Sequence, residues 1–160
     1  KKKFLFKVLK KFKGLQYRQQ IIFKSKHLTI INDSKATSFS SSSSILKSFS
    51  NVFWIVGGLA KKGDKFLLSK NDCKNSKAYI FGKNKSFFIN RLRNKIKYES
   101  FLNLKFLIKK ILLDIKTNDK KKNNVILFSP SAASFDSFKN FEERGKYFNN
   151  LIKKLHNVRQ

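Results

Sequence analysis

Short apolar runs recur along the chain and are separated by polar breaks. Each run has three to five residues and is rich in Ile, Val, Phe or Leu, which is typical of buried β-strands. We predict strands over residues 21–23, 28–31, 52–56, 78–81, 96–98 and 125–128. The polar residues between the first two runs indicate a hairpin, and the run at 96–98 is weak enough to be an edge strand.

Between these runs, apolar residues recur at the spacing of amphipathic helices. Helices are predicted over 4–12, 36–49, 86–92 and 101–115, with a short helix from Phe66. The serine tract 40–44 favours a flexible linker and a solvent-facing helix side about equally. Strands that alternate with helices predict an α/β fold, a Rossmann-like and mostly parallel sheet with helices on both faces.

The segment 125–144 combines a strand, a loop of small residues and an amphipathic stretch. Pro130 ends the strand because proline has no N–H for a sheet ladder. Phe138, Phe141, Phe148 and Leu151 then share one helical face. Ser134 and Asp136 are both candidate N-caps, so the free amides of the loop would suit a carboxylate or a phosphate. An ordinary strand–helix crossover is the alternative interpretation.

Polar or glycine-rich loops follow the carboxyl ends of four predicted strands, at 32–37, 57–64, 82–85 and 129–134. In an open α/β sheet such loops converge on one crevice, where ligands bind. The crevice would contain cations and hydroxyl groups from Lys35, Thr37, Lys61 and Ser134. Because cations supply charge and hydroxyls supply direction, this set predicts an anion-binding domain.

The chain is strongly basic, with 160 residues, 37 Lys+Arg against 9 Asp+Glu and a net charge of +28. Such a balance is typical of proteins that bind nucleic acid or anionic membranes. The cations here are mostly lysines spread along the chain, and Lys, Phe, Asn and Ile are residues of A/T-rich codons. We therefore favour compositional bias with a solvated basic surface, and a basic, ribosomal-type nucleic-acid-binding protein is the alternative.

The sequence lacks the motifs of several classes of enzyme. No G-x-x-x-x-G-K-[ST] loop occurs, Gly57-Gly58 lacks the third glycine of a dinucleotide fingerprint, and Cys73 is the only cysteine. The basic residues 1–13 have no long apolar region or cleavage site, so a helix end is favoured over a signal peptide. Because the first residue is not Met, we expect a piece cut from a longer chain.

Four blocks stand out, in this order: Gly14-Leu15-Gln16-Tyr17-Arg18; Asn32-Asp33-Ser34-Lys35-Ala36-Thr37; Gly57-Gly58-Leu59-Ala60-Lys61; and Ser129-Pro130-Ser131-Ala132-Ala133-Ser134-Phe135-Asp136 with 138–145. In content and order they resemble the motifs of the C-terminal domain of the Mur ligase family, in its D-glutamate-adding branch. The second and fourth blocks carry most of the specificity. The resemblance spans nearly the whole chain.

The resemblance implies a function and a domain organisation. Residues 1–18 would end the preceding, ATP-binding domain, and 19–160 would form the C-terminal domain. The whole enzyme would be an ATP-dependent ligase that joins D-glutamate to UDP-N-acetylmuramoyl-L-alanine in peptidoglycan synthesis, through an acyl phosphate. ATP and Mg²⁺ would be bound mainly by domains outside this chain, so the fragment alone is expected to be inactive.

The resemblance also assigns site residues by matched position. D-glutamate contacts are expected from Thr37, Lys61, Ser134, Phe135 and Phe141, the two phenylalanines through their main chain. ATP contacts are expected from Arg18, Asp33 and Lys35. No catalytic residue and no metal ligand are expected in this chain. The implied location is the cytoplasm, without a nucleic-acid or membrane partner.

Four positions depart from the family pattern. Gln16 and Tyr17 replace Pro and His in the first block, Ser38 replaces an Asn, and Lys62 stands where a small residue is common. These departures affect the expected geometry of the loops more than the identity of the blocks.

Overall fold

The computed structural model describes residues 14–118 and 123–157, and the helix predicted over 4–12 lies outside them. Six strands form one sheet in the order β1-β2-β6-β3-β4-β5. Their bounds are β1 Gln20–Lys24, β2 Leu28–Asn32, β3 Val52–Gly57, β4 Ser76–Phe81, β5 Lys97–Ser100 and β6 Asn124–Phe128. Only the β1–β2 hairpin is antiparallel within this sheet. The predicted hairpin and the mostly parallel α/β sheet are confirmed.

Four described helices cover the two faces of the sheet. They are α1 Phe39–Lys47, α2 Lys85–Leu92, α3 Leu104–Thr117 and α4 Phe141–Asn157. Alternate residues of β3 point to opposite faces, so Trp54 packs with α1 and α2 while Ile55 packs with α3 and α4. The two apolar clusters confirm the prediction that helices lie on both faces.

The predicted short helix from Phe66 is wrong. Residues 66–75 form an extended segment and turns, with Phe66 and Leu68 buried and Leu67 exposed. This alternation belongs to an extended chain and not to a helix. Phe66 is held by aromatic neighbours, with its ring centroid 5.3 Å from that of Phe39 and 5.7 Å from that of Trp54.

The serine tract lies within helix α1, and not in a linker. The helix is shorter than predicted because the Ser38 hydroxyl accepts a hydrogen bond from the Ser41 amide and caps its start. Ser40, Ser41 and Ser44 face solvent, whereas Ser42 is buried. A tract of one residue type therefore divides between solvent and core.

An ion-pair network joins helix α3 to the outer strands of the sheet. Lys77 on β4 contacts Glu99 on β5, and its Nζ lies 2.8 Å from Oδ2 of Asp114 on α3. Lys110 contacts the same Asp114 from one turn away. Burial raises the pKa of Asp114, but hydrogen bonds from Lys110, Lys77 and Tyr79 outweigh it and lower that pKa to about 2.

Both outer strands of the sheet are irregular or short. The register of β1 shifts between Ile21 and Phe23, which marks a bulge. Strand β5 has four residues and pairs only with β4 in the described structure. Its exposed face carries Lys97, and Glu99 belongs to the ion-pair network. No described helix is long and apolar enough to cross a membrane.

Candidate functional site

The loops after β3 and β6 run side by side at the carboxyl edge of the sheet. Leu59 and Ala133 form a two-residue antiparallel bridge, with both N–O distances 3.0 Å. The Gly57 amide also donates to the Pro130 carbonyl at 2.9 Å. Lys61 and Ser134 follow this bridge within two residues, so the structure brings their loops together.

Gly57 fits this edge because it has no side chain. Its φ is +135°, and a Cβ there would lie 2.0 Å from the carbonyl oxygen of Phe81 at the end of β4. Gly58 is similarly confined, since its Cβ would lie 2.8 Å from the Ala133 carbonyl oxygen. The paired glycines therefore allow the ends of β3, β4 and β6 to approach one another closely.

The loop after β2 is fixed to helix α4 by buried polar groups. The Asn32 side chain donates to the Gly145 carbonyl at 2.9 Å and to the Asn149 side chain at 2.7 Å. The Ser34 hydroxyl donates to the Phe141 carbonyl at 2.8 Å. Much of the Asn-Asp-Ser block thus positions the backbone.

Asp33 is a buried carboxylate at the start of this loop. It accepts hydrogen bonds from the Gln19 amide at 3.1 Å and from the Ser129 hydroxyl at 2.9 Å. Burial raises the pKa of Asp33, although these two hydrogen bonds and the charge of Arg18 oppose the rise. The carboxylate connects the loops after β2 and β6 to the segment around Arg18.

The three predicted ATP contacts lie together. Arg18, Asp33 and Lys35 line one shallow cavity of about 380 Å³. Lys35 is oriented by Phe141, because its Nζ lies 4.0 Å from the centroid of that ring. This contact links the predicted ATP residues to one of the predicted D-glutamate contacts.

The predicted D-glutamate contacts are spread over the same edge of the sheet. Thr37 and Lys61 are exposed, Ser134 is buried and Phe135 is 71% exposed. Their loops belong to three neighbouring strands, β2, β6 and β3. The Phe39 amide donates to Asp64 at 2.8 Å, and the Asp64 amide donates to the Lys61 carbonyl at 3.1 Å, which connects the Thr37 and Lys61 loops.

The chain is similar in sequence to known proteins. No protein-family profile matches the chain. UDP-N-acetylmuramoylalanine–D-glutamate ligase of Wolbachia sp. subsp. Brugia malayi is 37% identical over 148 residues, which is 92% of this chain and 29% of that protein. The enzyme of the same name from Agrobacterium fabrum is 37% identical over 88% of this chain and 30% of its own length. That from Francisella tularensis subsp. tularensis is 34% identical over 92% of this chain and 35% of its own length.

The chain belongs with the C-terminal portion of the Mur ligases. It spans about a third of the length of the curated relatives it matches. Among solved structures, MurF ligase from Thermotoga maritima in complex with ADP is similar, with a TM-score of 0.50 and 20% identity. That match covers 90% of this chain and 33% of the other, and it supports the Mur ligase fold.

A residue without an assigned role, Arg144, joins the loops of this Mur ligase domain. It is fully buried on α4. Its guanidinium donates to the Ser34 hydroxyl at 3.1 Å, the Ser34 carbonyl at 2.6 Å and the Ala132 carbonyl at 2.9 Å. Burial lowers the pKa of Arg144 to about 10, partly offset by Asp136, so it stays charged at neutral pH.

The N-cap prediction for Ser134 and Asp136 is wrong. Helix α4 begins at Phe141, and the Asn140 side chain accepts from the Glu143 amide at 2.8 Å. Residues 134–138 form a turn instead, in which the Ser134 carbonyl accepts from the Phe138 amide at 2.9 Å. Asp136 accepts a hydrogen bond from the Lys83 amide at 3.3 Å and so connects the loop after β4 to the loop after β6.

The site is made of anion-binding groups and does not fit a metal ion. In the part of the chain that the structure describes, no group of three or more His, Cys, Asp or Glu side chains could hold one. Cationic, hydroxyl and amide groups from the four loops can bind and orient an acidic ligand.

Proposed function

We propose that this chain is the D-glutamate-binding, C-terminal part of an ATP-dependent ligase that joins D-glutamate to UDP-N-acetylmuramoyl-L-alanine in peptidoglycan synthesis. The observation that carries the proposal is the Leu59–Ala133 bridge, which joins the loops of Lys61 and Ser134 at the carboxyl edge of the sheet. The relatives are named UDP-N-acetylmuramoylalanine–D-glutamate ligase, which supports the same substrate.

The chain's residues would bind and orient D-glutamate. Lys61 would pair with one carboxylate, and Thr37 and Ser134 would donate hydroxyl hydrogen bonds. Phe135 and Phe141 would contribute main-chain groups. With both carboxylates held at this edge, the free amine of D-glutamate can be directed at an activated acyl carbon.

ATP would bind beside the loop that follows β2, next to the proposed D-glutamate site. Arg18, Asp33 and Lys35 line one cavity there, and a cation, a buried carboxylate and a second cation suit the phosphates and hydroxyls of ATP. Because the described residues lack a metal-ion cluster, we propose that Mg²⁺ is held by other parts of the enzyme. A cytoplasmic location is proposed with this function, and a free, buried Cys73 agrees with it.

We also propose that residues 19–160 form the C-terminal domain and that 1–18 end the preceding one. The described part of that junction packs against α4. The Tyr17 carbonyl accepts from the Lys35 amide at 3.0 Å, and a Cβ at Gly145 would lie 2.3 Å from the Tyr17 ring. Gly145 therefore leaves room for the interdomain segment.

Lys61→Ala in the full-length ligase tests the assignment of D-glutamate. A charge-assisted hydrogen bond to a desolvated carboxylate contributes about 1.5–3 kcal/mol. The KM for D-glutamate at saturating ATP should therefore rise by roughly one to two powers of ten. The KM for ATP should change little, because its contacts are assigned to other residues.

Lys62→Ala is the matched control, because Lys62 is the adjacent exposed lysine of the same loop. It should have only a small, salt-sensitive effect. A damaging Lys62→Ala with a silent Lys61→Ala would contradict the residue assignment. Unchanged D-glutamate kinetics in both variants would contradict the proposed role of this loop.

A further inference from the structure

A basic depression lies at the amino edge of the sheet, opposite the candidate site at the carboxyl edge. Two adjoining cavities, of about 570 and 450 Å³, share Lys74, Ser76 and Lys97 in their walls. Ser76 and Lys97 are the first residues of β4 and β5. The loops of Thr37 and Lys61 follow the carboxyl ends of β2 and β3, so they lie at the opposite edge of the sheet from the depression.

The larger cavity has five cationic side chains in its wall and no carboxylate. They come from a turn, from the segment between α2 and β5, and from the first residue of β5: Lys70, Lys74, Arg93, Lys95 and Lys97. None of the five forms an ion pair with a described carboxylate. In the smaller cavity, Asp114 is compensated by Lys77 and Lys110. The wall of the larger cavity therefore carries an excess of positive charge.

One of the cations is held in place by the fold. The Lys95 Nζ donates to the Phe66 carbonyl at 2.6 Å and lies 5.7 Å from the centroid of the Phe66 ring. An ammonium group has three N–H donors, so two remain after this bond. Cys73 also lines the cavity, and burial raises the pKa of its thiol to about 11, so the thiol adds no negative charge.

We propose that this depression is a binding site for a small ligand with several phosphate charges. Clustered lysines neutralise a compact polyvalent anion, and Arg93 can bind a phosphate group with two hydrogen bonds. The cavity volume is that of small-molecule sites. Single-stranded nucleic acid is disfavoured because no aromatic side chain lines the larger cavity, and such binding depends on base stacking.

Calorimetric titration of the chain with inorganic tripolyphosphate, at about 0.15 M salt where the Debye length is about 8 Å, tests the site. Saturable binding of one ligand per chain is expected. The double variant Arg93→Gln/Lys97→Gln should weaken it by at least about tenfold, which corresponds to about 1.4 kcal/mol. Lys70→Gln/Lys74→Gln gives an independent measurement from the other wall of the cavity.

The control is Lys153→Gln/Lys154→Gln, which removes the same charge from the exposed face of α4 and lines neither cavity. It should change the affinity by less than about twofold, because only the long-range field is altered. Equal weakening by the cavity and control variants, or absence of saturable binding, would overturn the proposal. The proposal would also be overturned if a twelve-nucleotide single-stranded RNA bound more tightly than tripolyphosphate and this binding depended on the same cavity residues.

Discussion

At the scale of single residues, Arg144 joins two loops of the candidate site to α4. One guanidinium holds the Ser34 loop and the Ala132 loop against α4 through three directed hydrogen bonds. A lysine would keep the charge, but it lacks the planar fork that serves these partners together. Arg144 is thus a positioning residue for the loops of the proposed site.

Arg144→Lys should lower the free energy of unfolding by about 2–3 kcal/mol, because at least one buried carbonyl loses its donor. Urea unfolding of the chain measures this change. Lys146→Met, at an exposed position on the same helix, should stay within about 0.5 kcal/mol of the parent. A parental midpoint for Arg144→Lys would show that the three hydrogen bonds are not required.

Sequence reasoning could have found the burial of Arg144 but not its contacts. The residue lies three positions after Phe141 and four before Phe148, on the apolar face of α4. That spacing was available from the sequence. The Ser34 contact was not, because 110 residues separate the partners. Lys61 and Thr37 were placed in the crevice from the loop pattern and assigned to D-glutamate through the resemblance, and their ligand contacts stay a prediction.

At the scale of elements, the Asp114 network connects α3 to the sheet. A carboxyl group whose pKa is lowered by folding stabilises the fold above its ordinary pKa, here 3.8. This contribution is lost as pH falls toward the folded pKa of about 2. The stability of the chain should therefore decrease between about pH 4 and pH 2.

Asp114→Asn should remove this part of the acid sensitivity. The variant is expected to be less stable than the parent above pH 4, by on the order of 2 kcal/mol, and to approach it near pH 2. Urea midpoints at pH steps from 2 to 5 give the comparison. A constant difference between the two proteins over this range would contradict the role assigned to the carboxylate.

Strands and helices were predicted well where the apolar periodicity is strong. They were predicted poorly where contacts within loops determine the local structure. The runs at 52–56 and 125–128 are buried strands within one residue of their predicted ends. The helix predicted from Phe66 was wrong, because Phe66 and Leu68 are buried and Leu67 between them is exposed, which is the alternation of an extended chain. The predicted start of α4 was wrong, because the helix is capped by Asn140 and by neither Ser134 nor Asp136.

At the scale of the whole molecule, the alternation of strands and helices was sufficient to predict the α/β sheet. The order of its strands was not predicted, since β6 inserts between β2 and β3 through contacts distant in sequence. This insertion brings the Thr37, Ser134 and Lys61 loops to neighbouring strands. The proposed site therefore depends on topology that no local pattern encodes.

The isolated chain should have no ligase or ATPase activity. Its sequence has no phosphate-cradling G-x-x-x-x-G-K-[ST] loop, and its described residues hold no metal-ion cluster. Phosphate release and amide formation from ATP, D-glutamate and UDP-N-acetylmuramoyl-L-alanine measure this directly, with a full-length ligase as the positive control. ATP-dependent amide formation by the purified chain would contradict the prediction.

The irregular outer strands have a consequence for behaviour at high concentration. An outer strand offers unpaired backbone groups that another chain can extend, which is a route to aggregation. Here the bulge in β1 interrupts one such row, and β5 has only four residues, two of which, Lys97 and Glu99, are charged. Repulsion between chains with a net charge of +28 acts in the same direction. In this protein with 18 phenylalanines, we therefore expect little intermolecular sheet growth at the two edges of the described sheet.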